Sequence, residues 1–179
     1  MNRRISIFVA LLVAALVGVA CDDGETTSAP PTVDAAAALP AHLLVETEPE
    51  GALDVVAMRG TAKDGERVVV QGVIGGRAEP IAGDRAIFTL MDSSITTCET
   101  MEGDTCETPW DACCEPADVI AAGSTAVQVV DAAGRPLDKG LNGVGGLAPL
   151  KRVVVIGTYR ASPDGKAATI DAERIYVAG

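Results

Sequence analysis

The sequence has few of the side chains that perform acid–base chemistry or stack on nucleic-acid bases. In 179 residues it has one histidine, one tryptophan, two tyrosines and two phenylalanines. A Ser-His or Cys-His catalytic pair needs a histidine in the folded domain, whereas His42 lies in a polar N-terminal segment. The sequence therefore predicts a protein that is not an enzyme, with no catalytic residue and no cofactor.

Basic residues are also scarce. The chain has 14 Lys and Arg against 25 Asp and Glu, a formal net charge of −11 at pH 7. No Lys, Arg or His occurs between Arg85 and Arg135. Such an acidic surface repels nucleic acid and anionic lipid headgroups alike. Nucleic acid is therefore excluded as an expected partner.

The one long apolar run is too short for a permanent membrane helix. It extends from Ile5 to Ala20, after Arg3 and Arg4, and falls short of the roughly 20 residues that span a bilayer. A short basic start followed by such a run is typical of an export signal. We therefore expect residues 1–20 to be a signal peptide.

The end of this run, LVGVAC at residues 16–21, resembles a bacterial lipobox. The resemblance implies cleavage before Cys21 and a lipid anchor on that cysteine; the alternative is ordinary signal cleavage with Cys21 incidental. Cysteine parity favours the anchor, because five cysteines leave an odd thiol in an oxidising compartment. The expected location is the bacterial cell envelope, with the chain tethered to a membrane and facing the periplasm or the exterior.

The mature chain divides into a tether and one domain. Residues 21–49 are rich in Asp, Glu, Thr, Pro and Ala without a sustained apolar period, which predicts a flexible tether. Residues 50–179 are long enough for one domain with a real core. Loss of the signal removes two basic residues and leaves 12 against 25 acidic ones, a net charge of −13.

The domain sequence predicts strands rather than helices. Five segments are rich in β-branched residues or alternate between apolar and polar ones, and turn residues separate them. They are residues 66–74, 84–91, 125–130, 151–159 and 168–177, with a short helix expected at 52–59. We therefore expect an all-β domain with one or two short helices.

Two pairs of these segments resemble the hairpins of an OB-fold. Residues 68–92 have a mid-strand glycine at Gly72 and end in Phe-x-Leu-x-Asp, and residues 153–177 have Gly157 in mid-strand. The resemblance implies a small five-stranded OB-like barrel, whose strands bend at glycine. OB-folds bind oligonucleotides or oligosaccharides on their second and third strands. The third strand here, TAVQVV, has neither an aromatic nor a basic residue.

Four cysteines fall within an insertion at about residues 93–124, which would separate the second and third strands. They are Cys98, Cys106, Cys113 and Cys114. Without CxxC spacing or a nearby histidine, we expect two structural disulfides and no metal. A bond between the adjacent pair would be strained. The pairings 98–113 with 106–114, and 98–114 with 106–113, both stay open.

The same loop suggests what the domain does. Its tryptophan, Trp110, is a candidate binding residue, because loops on rigid scaffolds carry recognition and aromatics anchor interfaces. We therefore expect a non-catalytic binding or assembly module, with the membrane and other envelope proteins as partners. The alternative is a metal-binding envelope protein, for calcium or zinc, that uses the cysteines or the carboxylates of the loop. Those carboxylates are Glu99, Glu102, Asp104, Glu107, Asp111, Glu115 and Asp118.

Overall fold

A computed structural model describes residues 38–103 and 105–179. Most of the regular structure in these ranges is β-strand. The elements are β1 Leu44–Val45, β2 Leu53–Asp54, α1 Val55–Thr61, β3 Arg67–Ile74, β4 Ile87–Met91, α2 Ala117–Ala122, β5 Ser124–Gln128, β6 Arg152–Ala161 and β7 Ala168–Val177. Neither helix in the described ranges has the length and apolar character needed to cross a membrane.

The five longer strands close into a barrel. β3 pairs antiparallel with β4 and with β6, and β4 continues to β5. β5 then pairs in parallel with β7, and β7 returns to β6. This circuit confirms the predicted five-stranded OB-like barrel with few short helices. Alternate residues of the strands fill its interior, among them Val70, Phe88, Leu90, Val127, Val155 and Ile170.

The two predicted mid-strand glycines lie where neighbouring strands approach closely. A Cβ on Gly72 would overlap the carbonyl oxygen of Met91, and a Cβ on Gly157 would overlap that of Asp171. Gly157 also lies at a register shift between β6 and β7. Glycine is needed at both positions because no side chain fits between the backbones, in keeping with the bends of a small barrel.

The strand and helix limits differ from the predicted ones at several ends. β4 begins at Ile87 instead of residue 84, and β5 ends at Gln128 instead of residue 130. α1 covers Val55–Thr61 instead of 52–59, because residues 53–54 pair in parallel with β3. The ends of these elements depend on tertiary strand pairing, which the local sequence pattern does not show.

Part of the segment predicted as tether belongs to the barrel. Leu43 is 2% exposed and lies in the main core, and β1 pairs in parallel with β7. The folded domain therefore begins before residue 50. The predicted signal peptide, the predicted lipid anchor on Cys21 and the predicted tether residues 21–37 lie outside the described residues.

A carboxylate from the end of β4 caps α1. Asp54 holds the N-cap position of α1 but its side chain makes no capping hydrogen bond. Instead, the backbone N–H of Val56 donates to Oδ2 of Asp92 at 2.8 Å. Val55 and Met58 then bury the inner face of the helix against the barrel. Asp92 thus ties the helix to β4.

Candidate functional site

An open cavity of about 460 Å³ lies beside β4 and β5. We call it the basic cavity, since three of its twelve lining residues are basic and none is acidic. The lining residues are Arg59, Gly76, Arg77, Thr89, Ile120, Ala121, Ser124, Thr125, Ala126, Lys166, Ala167 and Ala168. Its volume lies in the range of small-molecule sites, roughly 300–1,000 Å³.

The three cations come from three separate elements. Arg59 lies on α1, Arg77 lies between β3 and β4, and Lys166 lies between β6 and β7. Arg77 and Lys166 are exposed, and Arg59 is half-buried. Within the described ranges, none of the three takes part in an ion pair. The basic cavity is thus a patch of positive charge on a chain of net charge −11.

Arg59 holds the walls of the basic cavity together. Its guanidinium donates to the carbonyl oxygens of Ala121, Ser124 and Lys166. The Ser124 and Lys166 bonds measure 2.6 Å and 2.9 Å. Because the N–H groups of Arg59 already donate to these carbonyls, Arg59 acts mainly as a positioning residue. Arg77 and Lys166 are the cations more available to bind a ligand.

One polar side chain in the lining lacks a partner. The Ser124 hydroxyl oxygen is buried and has no hydrogen-bond partner among the described residues. The neighbouring Thr125 hydroxyl donates to the carbonyl oxygen of Ala168 at 3.0 Å. Buried hydroxyls normally have a partner, so the Ser124 hydroxyl is an available hydrogen-bonding group in the wall.

Trp110 connects the cysteine-bearing insertion to the loop that carries Arg77. Its indole N–H donates to the carbonyl oxygen of Ala78 at 2.9 Å, and its own carbonyl accepts from the N–H of Gly76 at 2.9 Å. The side chain is half-buried. Trp110 therefore contacts the residues directly before and after Arg77 in the sequence. Its role as a binding residue stays a prediction.

The cysteine thiols of the insertion converge. The Sγ atoms of Cys98, Cys106 and Cys113 all lie within 4.8 Å of one another. The Cys98 and Cys113 sulfurs are 3.6 Å apart, and those of Cys113 and Cys114 are 4.0 Å apart. A disulfide bond is about 2.05 Å long. The predicted disulfide staple is therefore not shown, although the expected proximity of the cysteines is.

The environment of Cys98 opposes ionisation. Burial, and then the neighbouring Cys113 and Cys106 thiols, raise the pKa of Cys98 to about 12. A thiol that stays protonated near neutral pH is a weak nucleophile. The Cys98 thiol is therefore poorly suited to nucleophilic catalysis.

The acidic residues of the insertion do not form a comparable cluster. A metal site needs at least three Cys, His, Asp or Glu side chains whose ligand atoms lie close together. In the described ranges, only the three cysteines bring such atoms within 4.8 Å of one another. Asp104 lies outside those ranges. The geometry therefore favours sulfur over carboxylate oxygen as the source of metal ligands in the loop.

Sequence reasoning found the cysteines and missed the basic cavity. Arg59 and Lys166 are 107 residues apart, yet the guanidinium of one bonds the carbonyl of the other. The only available signal was the scarcity of basic residues, which makes each unpaired cation notable. Only the closed barrel brings these cations to one face.

Comparisons with known proteins add little to this description. No family model matches the chain, and no curated protein matches it. Among solved structures, it is similar to the hypothetical protein YgiW from E. coli, at 17% identity and a TM-score of 0.39. That similarity covers 74% of this chain and 96% of YgiW. A likeness of this degree says nothing about activity.

Proposed function

We propose that the protein is a lipid-anchored lipoprotein of the bacterial cell envelope that acts as a non-catalytic binding module. The Arg3-Arg4 start, the apolar run and the Ala20-Cys21 junction support export and anchoring. The basic cavity supports the binding role. Its preferred ligand is a small anion that carries a carboxylate or phosphate group.

The observation that carries this proposal is a group of positive charges in a concave site that have no ion-pair partner among the described residues. The lining contains no carboxylate, and apart from Arg59, Arg77 and Lys166 it is neutral. Guanidinium and ammonium groups form their strongest hydrogen bonds with carboxylate and phosphate oxygens. The Ser124 hydroxyl supplies a further polar contact.

The surrounding charge argues for a small ligand over a polymer. A polyanion long enough to leave the basic cavity would meet a surface whose acidic residues outnumber its basic ones, and like charges repel it. A single small anion avoids that surface. The lack of a nucleophile–histidine pair in the sequence supports binding without catalysis.

Trp110 makes the proposal testable, because it is the one tryptophan and contacts both neighbours of Arg77. Citrate and glucose 6-phosphate, titrated into the reduced protein at constant ionic strength, should change its fluorescence saturably. Glucose should not. A lost charged hydrogen bond of about 1.5–3 kcal/mol predicts that Arg77→Gln weakens binding about tenfold or more.

The matched control is Arg67→Gln. Arg67 on β3 forms an ion pair with Glu173 on β7 and does not line the basic cavity. This variant should therefore bind the anions like wild type. Equal responses to glucose and to the anions, or equal affinities in wild type and Arg77→Gln, would contradict the proposal.

The anchor has its own test. Cells that express wild type and Cys21→Ser are grown with a labelled fatty acid, and labelling should be confined to wild type. Equal labelling of both chains, or of neither, would remove the anchor from the proposal. The two disulfides expected of an exported chain stay a prediction, and the thiol geometry offers a second use for the same cysteines.

A further inference from the structure

We propose that Cys98, Cys106 and Cys113 form a thiolate site for a thiophilic closed-shell cation, Zn²⁺ or Cu⁺. Their Sγ atoms lie within 4.8 Å of one another, and those of Cys98 and Cys113 are 3.6 Å apart. Zn–S bonds of about 2.3 Å place sulfurs about 3.8 Å apart around a tetrahedral ion. The observed spacing therefore suits three sulfurs that share one ion.

Convergence of three sulfurs argues for an ion over paired disulfides. Disulfides join sulfurs two by two, and nothing in that bonding draws a third sulfur to the same point. Here the third sulfur, of Cys106, lies within 4.8 Å of both others. Thiolates select soft ions such as Zn²⁺ and Cu⁺ over Ca²⁺.

Cys114 is the nearest candidate for a fourth ligand. The sulfurs of the adjacent residues Cys113 and Cys114 are 4.0 Å apart. Cys114 is exposed and lies outside the group of three. With Cys114 as the fourth ligand the site would be a closed tetrahedral one, and without it the fourth position is open.

The backbone around the sulfurs holds their positions. The N–H of Cys98 donates to Asp111 and that of Glu99 donates to Pro109, both at 2.8 Å. This pairing joins the two ends of the segment that carries Cys106. Beneath it, Met91, Ile95, Ala112 and Ile120 form a separate apolar cluster. These contacts fix the backbone next to Cys98 and Cys113 before an ion binds, which lowers the entropy cost of binding.

The binding step involves no redox change. Each thiol that ligates the ion releases its proton to water, and the sulfur lone pair forms the bond to the cation. None of the four cysteines lines the basic cavity, so this proposal and the anion-binding proposal succeed or fail separately.

Cobalt(II) is a suitable probe because tetrahedral thiolate coordination gives it intense charge-transfer and d–d absorption. The full chain, reduced, in detergent and free of metal, is titrated with Co²⁺ and then with Zn²⁺. We expect one Co²⁺ per chain, displaced by one Zn²⁺, and a higher melting temperature with Zn²⁺. Ca²⁺ should displace no cobalt.

Serine variants assign the ligands. Cys98→Ser, Cys106→Ser and Cys113→Ser should each lose the thiolate–cobalt absorption, whereas Cys21→Ser should keep it as the matched control. Cys114→Ser should retain binding with altered d–d absorption or weaker affinity. Far-UV circular dichroism of the metal-free variants checks that each chain is folded, so that loss of absorption reports loss of a ligand.

Two results would overturn the site. One is a reduced, folded wild-type chain that shows no thiolate–cobalt absorption, or variants of the three cysteines that keep it. The other is chain isolated without reductant that contains no metal and has near-zero free thiols when denatured, which would establish the disulfides. Four titratable thiols with about one zinc or copper per chain would support the site.

Discussion

Asp92 offers the sharpest test of how the helix and the barrel are joined. Its carboxylate is 3% exposed and accepts three hydrogen bonds. Oδ2 accepts from the Val56 N–H at 2.8 Å. Oδ1 accepts from the Ser94 N–H at 3.0 Å and from the Ser94 hydroxyl at 2.7 Å. Substitution to alanine removes both acceptor oxygens and with them all three hydrogen bonds.

The loss of stability in Asp92→Ala depends on which of the three donors water can reach after the substitution. Ser94 is exposed, so both of its donors are free to turn to solvent. The Val56 N–H belongs to the first turn of α1, whose own N-cap side chain makes no bond. A hydrogen bond to a charged group contributes about 1.5–3 kcal/mol. We therefore expect Asp92→Ala to lower the free energy of unfolding by about 2–3 kcal/mol.

The carboxylate also makes stability depend on pH. Burial raises the pKa of Asp92, but the hydrogen bonds from Val56 and Ser94 lower it, and the net effect is a pKa below the ordinary value. A lowered pKa in the folded state means that the contribution is present above the unfolded pKa, about 3.9. It is lost as the pH falls through the folded pKa. Wild type should therefore lose more stability than Asp92→Asn on going from pH 6 to below pH 4.

Urea denaturation followed by Trp110 fluorescence gives both quantities. Asp138→Asn is the control, because that carboxylate is 83% exposed and should change stability by less than about 0.5 kcal/mol. The reasoning fails if Asp92→Ala costs no more than the control. It also fails if the stability difference between wild type and Asp92→Asn is the same at low and neutral pH.

Two further predictions concern packing, and thermal or urea unfolding measures both. Gly157→Ala should destabilise by about 1–3 kcal/mol, because its Cβ would strike the Asp171 carbonyl; Gly60→Ala, with open space around its Cβ, should be neutral or stabilise by up to about 1 kcal/mol. Equal effects at both positions would contradict the close-approach argument. Leu43→Ala should cost about 2–5 kcal/mol because it opens a hole in the main core, whereas Leu44→Ala, 37% exposed, should cost clearly less; an unaffected Leu43→Ala would restore this segment to the tether.

The sequence by itself determined the barrel strands and the glycines that bend them. Arg67–Ile74 alternates between buried and more exposed residues, and Ala168–Val177 contains β-branched residues. Both patterns predict strands, because successive side chains of a strand point to opposite faces of the sheet. The cysteine-rich insertion was likewise visible, since composition and spacing carry it; the export signal stays a prediction.

Tertiary structure alone decided which distant residues meet. Asp54 has the local position of a helix cap, yet Asp92 caps the helix from 36 residues away. The sulfur cluster and the basic cavity arise in the same way. The spacing of the cysteines did not reveal that three sulfurs converge, and the cations of the basic cavity come from elements that only barrel closure brings together. Local patterns record burial and chain direction, whereas a site depends on distances across strands, which the folded chain alone defines.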